Sequence, residues 1–169
     1  MPTIPGLHIP WEAVGTIFLA LVVFRLVAGI AKPPFRRVVG ALAGVVLATG
    51  LNIALDGIAF RAGWWWSAQE RPLAPLWTYL AQQILFSGAG GLVGWRIGKK
   101  SGMAAFCAYA IFAGAVGPLR NAIASTIMPL MQFGDGLAPY MAAWIGWFLI
   151  LFLAQVVMAL VAGIRVETD

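Results

Sequence analysis

Five apolar runs, Trp11 to Ala31, Val38 to Phe60, Pro75 to Ile97, Gly102 to Leu119 and Leu137 to Ile164, take up most of the 169 residues and leave only short connectors between them. An α-helix needs about 20 apolar residues to cross a hydrocarbon core of about 30 Å, and these runs are of that order. Inside lipid a backbone has to satisfy its own N–H and C=O groups, which a helix does within one segment. The expected fold is an all-α integral membrane protein: a single polytopic domain over 1-169, built as a bundle of about five transmembrane helices (11-31, 38-60, 75-97, 102-119, 137-164). Composition points the same way, since only 10% of the residues are charged against about 25% in a soluble domain.

The breaks between runs have local causes. Lys32-Pro33-Pro34 ends the first helix, because proline lacks an N–H and disfavours helix in the residue before it. Gly98-Lys99-Lys100-Ser101-Gly102 reads as a tight turn between the third and fourth helices, and Pro72 and Pro75 flank the start of the third. Residues 122–133 are too few to span; they extend helix four, lie in the interface or re-enter the membrane.

Loop charges set the orientation. Lys32, Arg36 and Arg37 follow the first run, and Arg96, Lys99 and Lys100 follow the third, whereas the other two loops mix arginines with Glu70 and Asp135. By the positive-inside rule the first and third loops are cytoplasmic, so five crossings leave the N-terminus outside and the C-terminus cytoplasmic. The expected setting is a bacterial inner membrane. The first ten residues carry no basic region and no small-residue cleavage site follows, so the first helix is expected to be retained. A formal charge of +5 arises from these short loops, which argues against a nucleic-acid partner.

No cofactor or metal is expected. Cys107 is the only cysteine and lies in an apolar run, and His8 is the only histidine and lies in the leader. Neither a thiolate metal site nor a bis-histidine haem can be assembled from them. Walker loops, Ser/His/Asp sets and zinc signatures are also missing.

The candidate chemistry gathers in the outer half. Asp56 lies 18 residues along the second run from Val38, about 27 Å at 1.5 Å per residue, and so just beneath the outer interface. Asn52 is one turn below it, Arg61 one turn above, Gln82 and Gln83 about two turns into the third run, and Arg120 and Asn121 close the fourth. Charge at such depth has to be paired or used. Two readings stand side by side: an Asp56–Arg120 pair that fixes helix packing, or Asp56 as a general acid or a proton- or cation-binding carboxyl.

Seven of eight tryptophans fall toward the outer face, with Trp95 alone near the inner one. Trp64, Trp65, Trp66, Trp144 and Trp147 either anchor helix ends or wall an outward-opening pocket for an apolar ligand. Gly90, Gly94 and Gly98 recur at four-residue steps, as do Gly40 and Gly44. Such faces let helices approach closely, and a homo-oligomer or complex partner could use those of helices two and three.

The segment Asp56-Gly-Ile-Ala-Phe-Arg-Ala-Gly63-Trp64-Trp65-Trp66, followed by Pro72-Leu73-Ala74-Pro75-Leu76 and Leu85-Phe86, resembles a signature of carotenoid-pathway membrane proteins of the lycopene cyclase and carotenoid hydratase families. The resemblance implies a helical scaffold that holds an isoprenoid. Cyclases of this type resemble one another in a Pro-Leu followed by paired acids, where this chain has Pro75-Leu76-Trp77-Thr78, so Asp56 is left as the one candidate acid. The leading expectation is therefore a membrane protein that binds or modifies an isoprenoid or membrane lipid in an outward-side, Trp-lined site. The alternatives are a structural subunit of a larger complex and a small-solute transporter.

Overall fold

In a computed structural model, which describes residues 11–67, 75–127 and 131–163, the chain is a helical bundle with one small strand pair. Helix α1 spans Trp11–Ala31, α2 Phe35–Arg61, α3 Leu76–Gln83, α4 Gly90–Ile127 and α5 Ala138–Ala162. A π-helical segment, Ile84–Ala89, joins α3 to α4 without a break. Three helices, α1, α2 and α5, are long and apolar enough to cross a membrane; the 27 residues of α2 make a rod of about 40 Å.

The helix ends follow the punctuation in the sequence. Lys32 takes a left-handed φ of 50° just before Pro33 and Pro34, and α2 starts at once beyond them. Arg96 donates from Nη1 to the Ala31 carbonyl at 2.6 Å, satisfying one of the acceptors that the last turn of α1 leaves open. Gly102 sits inside α4 at φ 82°, ψ 179°, a conformation that breaks the helix there. Beyond it the chain folds back: Tyr109 donates its hydroxyl to the Gly90 carbonyl at 2.8 Å. Gly94 lies against the Tyr109 and Phe106 rings and Gly98 against Phe106. Helix α4 is thus a helical hairpin with its corner at Gly102.

One small strand pair accompanies the helices. Strands β1 (Trp65–Ser67) and β2 (Met131–Phe133) pair antiparallel, with Trp65 opposite Phe133 and Trp66 opposite Gln132. Of the three readings of 122–133, extension of helix four holds as far as Ile127, and Met131 to Phe133 form the strand. At the bundle end carrying this pair, backbone groups beyond the helices bond to one another.

The closest helix pair is α2 with α5, running antiparallel. A methyl group on Gly40 would sit 2.6 Å from the Met158 carbonyl oxygen, and one on Gly44 2.8 Å from that of Ala154. Ala48 continues the seam against Ile150 and Ala154, and Gly146 receives Leu55 from the other side. The π segment packs its Gly88 between Phe24 of α1 and Val45 of α2. The glycine faces expected to serve a partner chain are therefore met within this chain. The outer surfaces remain apolar: Phe18 is 67% exposed, Val46 71%, Phe112 71% and Leu160 61%.

This packing makes a two-sided prediction. Gly44→Val should lower the melting temperature of the detergent-solubilised protein, an overpacking cost of about 1–3 kcal/mol. Gly50, whose added Cβ would meet nothing within 4 Å, should tolerate Gly50→Ala with unchanged or raised stability, because alanine is the better helix former by about 1 kcal/mol. Equal effects at the two positions would contradict the seam.

Candidate functional site

Two regions carry the functional possibilities, one at each end of the bundle. At the strand end, Asp56 lies on α2 about one turn before the helix stops at Arg61. Its two carboxyl oxygens are both engaged. Trp65 donates its indole N–H to Oδ1 at 3.1 Å, and Tyr79 donates its hydroxyl to Oδ2 at 2.7 Å. Trp65 and Tyr79 are themselves buried, so one half-buried carboxyl ties α2 to the strand that follows it and to α3.

A ladder of polar groups descends from this knot. Asn52, one turn below Asp56, donates to the Gln82 side-chain oxygen at 3.4 Å. Further in, Ser87 donates to the Gln83 side-chain oxygen at 2.6 Å, and Thr49 donates to the Val45 carbonyl at 2.8 Å. The Gln83 amide nitrogen is fully buried and makes no hydrogen bond among the described residues. The ladder faces the π segment, where the backbone register slips by one residue, as single π turns inside α-helices often do beside polar groups.

The tryptophans divide between roles. Trp64 packs on Trp65 at 6.2 Å between centroids, Trp65 on Phe133 at 5.8 Å, and Phe133 stacks on Tyr140 at 4.7 Å. Trp66 donates to the Gln132 side chain at 2.9 Å across the strand pair. Trp147 is buried against Phe86, and Trp144 reaches across to the Ile111 carbonyl on α4 at 3.3 Å. Trp64, Trp65 and Trp66 thus form one cap over the bundle end, while Trp144 and Trp147 act lower down as separate contacts of α5.

Of the sequence candidates, Asp56 with Trp65 and Asn52 with Gln82 are brought into direct contact. Arg61 is exposed. Arg120 and Asn121 lie on α4, but their side chains, and so the expected Asp56–Arg120 pair, fall outside the described residues, as does His8. Tyr79 and the Gln83–Ser87 pair were not singled out from sequence as the partners of this cluster. Their signal is there: Tyr79, Gln83 and Ser87 recur every four residues, and Thr49, Asn52 and Asp56 fall at intervals of three and four, which sets two polar stripes face to face.

The opposite end carries Lys32, Arg36, Arg37, Arg96, Lys99 and Lys100, and two clefts open there. The larger, about 490 Å³, lies between the start of α2, both arms of the α4 hairpin and the last turns of α5. Trp95, Met103, Phe106, Phe152 and Val156 line its apolar walls, and Arg36, Arg37 and Lys99 stand on its rim. Arg37 lies over the Trp95 ring, 6.0 Å from the centroid. The second, about 340 Å³, is lined by Val27, Ile30, Val93, Arg96, Ile97 and Lys100 among others. None of the five tryptophans expected to wall an outer pocket lines either cleft. No group of histidine, cysteine, aspartate or glutamate suited to a metal ion occurs among the described residues.

Searches against protein-family models, curated proteins and solved structures find no match to this chain.

The donors around Asp56 predict how the site answers mutation. Trp65 can only donate, so position 56 has to offer an acceptor, whereas a tyrosine hydroxyl can also accept. Asp56→Asn should keep both contacts by presenting its carbonyl to Trp65 and its amide to Tyr79, with a modest loss of melting temperature. Asp56→Leu removes the acceptor of both contacts and leaves the buried Trp65 indole N–H without its carboxyl partner, costing about 1–3 kcal/mol for that donor. Adding Trp65→Phe to Asp56→Leu should recover part of that loss. Equal loss in Asp56→Asn and Asp56→Leu would show that the carboxyl does something other than accept these two bonds.

Proposed function

We propose that the chain is a five-crossing membrane protein that binds an isoprenoid- or lipid-like molecule, with the cleft at its basic end as the binding site. The observation that carries this reading is the cleft itself. Its volume of about 490 Å³ falls in the range of about 300–1,000 Å³ usual for small-molecule sites, its walls are apolar, and the helices that form it expose apolar side chains on their outer surfaces. Such a molecule could enter sideways from the bilayer without crossing water.

Five crossings follow if α1, α2 and α5 span, and if the helical stretch from Leu76 to Ile127, folded back at Gly102, supplies two more. Six basic residues at one end favour the cytoplasmic side for that end. The strand pair and the N-terminus then face outward, the end of α5 faces inward, and a bacterial inner membrane is the setting.

The likeness to carotenoid-pathway proteins supports the scaffold part of this reading. The segment that carries it, Asp56 to Phe86, includes Trp65 and the carboxyl that Trp65 and Tyr79 hold. A carboxyl with both oxygens engaged by buried side chains suits a tie between helices better than an acid presented to a substrate. The outward, Trp-lined site expected from sequence has less to recommend it, because Trp65 and Trp147 are buried in protein contacts. A structural subunit has lost its main argument, since the glycine faces that suggested a partner pack inside the chain.

A photoactivatable farnesol should test the reading. Saturable labelling is expected on peptides carrying Met103, Phe106 and Phe152, and Ala159→Trp, which fills the cleft, should reduce it severalfold while leaving the melting temperature near the parent's. Labelling centred on Trp64 to Trp66 and Trp144 would favour the outer site instead, and unsaturable labelling would overturn the binding function.

A further inference from the structure

We infer that the cleft takes a lipid with a phosphate or diphosphate headgroup, the headgroup held by Arg36 and Arg37 and the tail lying between Trp95, Phe106 and Phe152. The inference rests on the binding reading above and adds to it the charge of the ligand. Arg36 and Arg37 stand in the first turn of α2, where the positive end of the helix dipole favours negative charge. Two guanidinium groups at that place suit a phosphate, because their planar forks donate paired hydrogen bonds to its oxygens. Snorkelling to bulk headgroups would account for one exposed arginine, but Arg37 is partly buried over the Trp95 ring, which holds its side chain at the cleft.

Among the described residues the lining contains no acidic side chain. The acids among the described residues, Glu12, Asp56 and Asp135, belong to the other end of their helices or to the loop before α5. The charged rim and the apolar walls select the two halves of one amphiphile. A tailless anion would leave the walls open, and an uncharged lipid would leave the arginines to water. A lipid supplies this phosphate, because the cleft is far larger than a phosphate and continues past the rim toward Gly94 and Met158.

The test uses the full chain in mixed micelles and reads quenching of Trp95 fluorescence by lipids brominated on the acyl chain, isolated as the difference between the parent and Trp95→Phe. Dibrominated phosphatidic acid should bind about tenfold more tightly than dibrominated phosphatidylcholine, equivalent to about 1.4 kcal/mol. In Arg36→Gln/Arg37→Gln that preference should fall to about twofold or less, a loss of about 1 kcal/mol. Arg36→Lys/Arg37→Lys should keep an intermediate preference, since it retains the charge and loses the fork. Lys32→Gln, at a position that lines neither cleft, should leave it unchanged. Four bases remain at this end in the double arginine variant, so its orientation in the membrane is kept.

A preference lost equally in Lys32→Gln would reduce the effect to surface potential and overturn the inference. Displacement of the lipid by inorganic phosphate at matching affinity would make this a free-phosphate site and would also overturn it. Equal quenching by both lipids in the parent sinks the headgroup assignment while leaving the lipid-binding reading intact. If neither lipid quenches Trp95, the lipid-binding reading itself fails.

Discussion

The constraint on which the rest depends is an apolar exterior. On α1, α2, α4 and α5 alike, large hydrophobic side chains point away from the bundle. Lipid would solvate such a surface at low cost, and lipid offers no hydrogen bonds. Polar groups are then best placed at the ends of the helices, or in the interior where a side chain or carbonyl answers them, the Gln83 amide nitrogen being the exception among the described residues. Both patterns are present. The bases collect at one end and the strand pair caps the other, while Asp56, Asn52 and Ser87 each bond to a partner inside the bundle.

The interior is held by small residues more than by large ones. Buried side chains of the main core include Ala20, Ala31, Ala41, Ala81 and Ala89, and the α2–α5 seam is made by glycine and alanine meeting backbone. When apolar helices are surrounded by apolar solvent, close van der Waals contact of this kind holds them together better than large side chains do. The same geometry makes the cleft. The two arms of α4 close on each other through Gly90, Gly94 and Gly98, and α2 closes on α5 through Gly40 and Gly44. Each pair is drawn in on itself, and a gap remains between the pairs at the basic end. Cleft and seam are thus two consequences of the same glycines.

Much of this was legible in the sequence. The apolar runs give the helices to within a few residues except the fourth, which continues past Leu119 to Ile127; Lys32-Pro33-Pro34 marks the first break, and the turn ending at Gly102 is seen at its corner. Helix α2 begins earlier than its apolar run, at Phe35, because Arg36 and Arg37 are tolerated in a first turn that reaches the bundle's end. The strand pair was not legible, since three-residue strands carry no periodic signal and their pairing joins segments far apart in sequence. Tyr79 carried its signal only in the four-residue spacing it shares with Gln83 and Ser87, which identifies a partner once the polar stripe of α2 is set opposite it. The tryptophans left two readings open for a related reason. Their sequence position near an outer face says nothing of whether the rings turn outward or, like Trp65 and Trp147, inward.

We propose that the two ends of this bundle face opposite sides of a bilayer, the strand cap outward and the basic, cleft-bearing end inward. Single cysteines in a Cys107→Ala background, challenged in intact cells with a membrane-impermeant thiol reagent, test it most directly. Gln69→Cys and Asp135→Cys should be labelled, and Ser101→Cys should be protected until the membrane is permeabilised. Labelling of Ser101→Cys with protection of the other two would reverse the orientation, and labelling of all three alike would contradict a spanning bundle altogether.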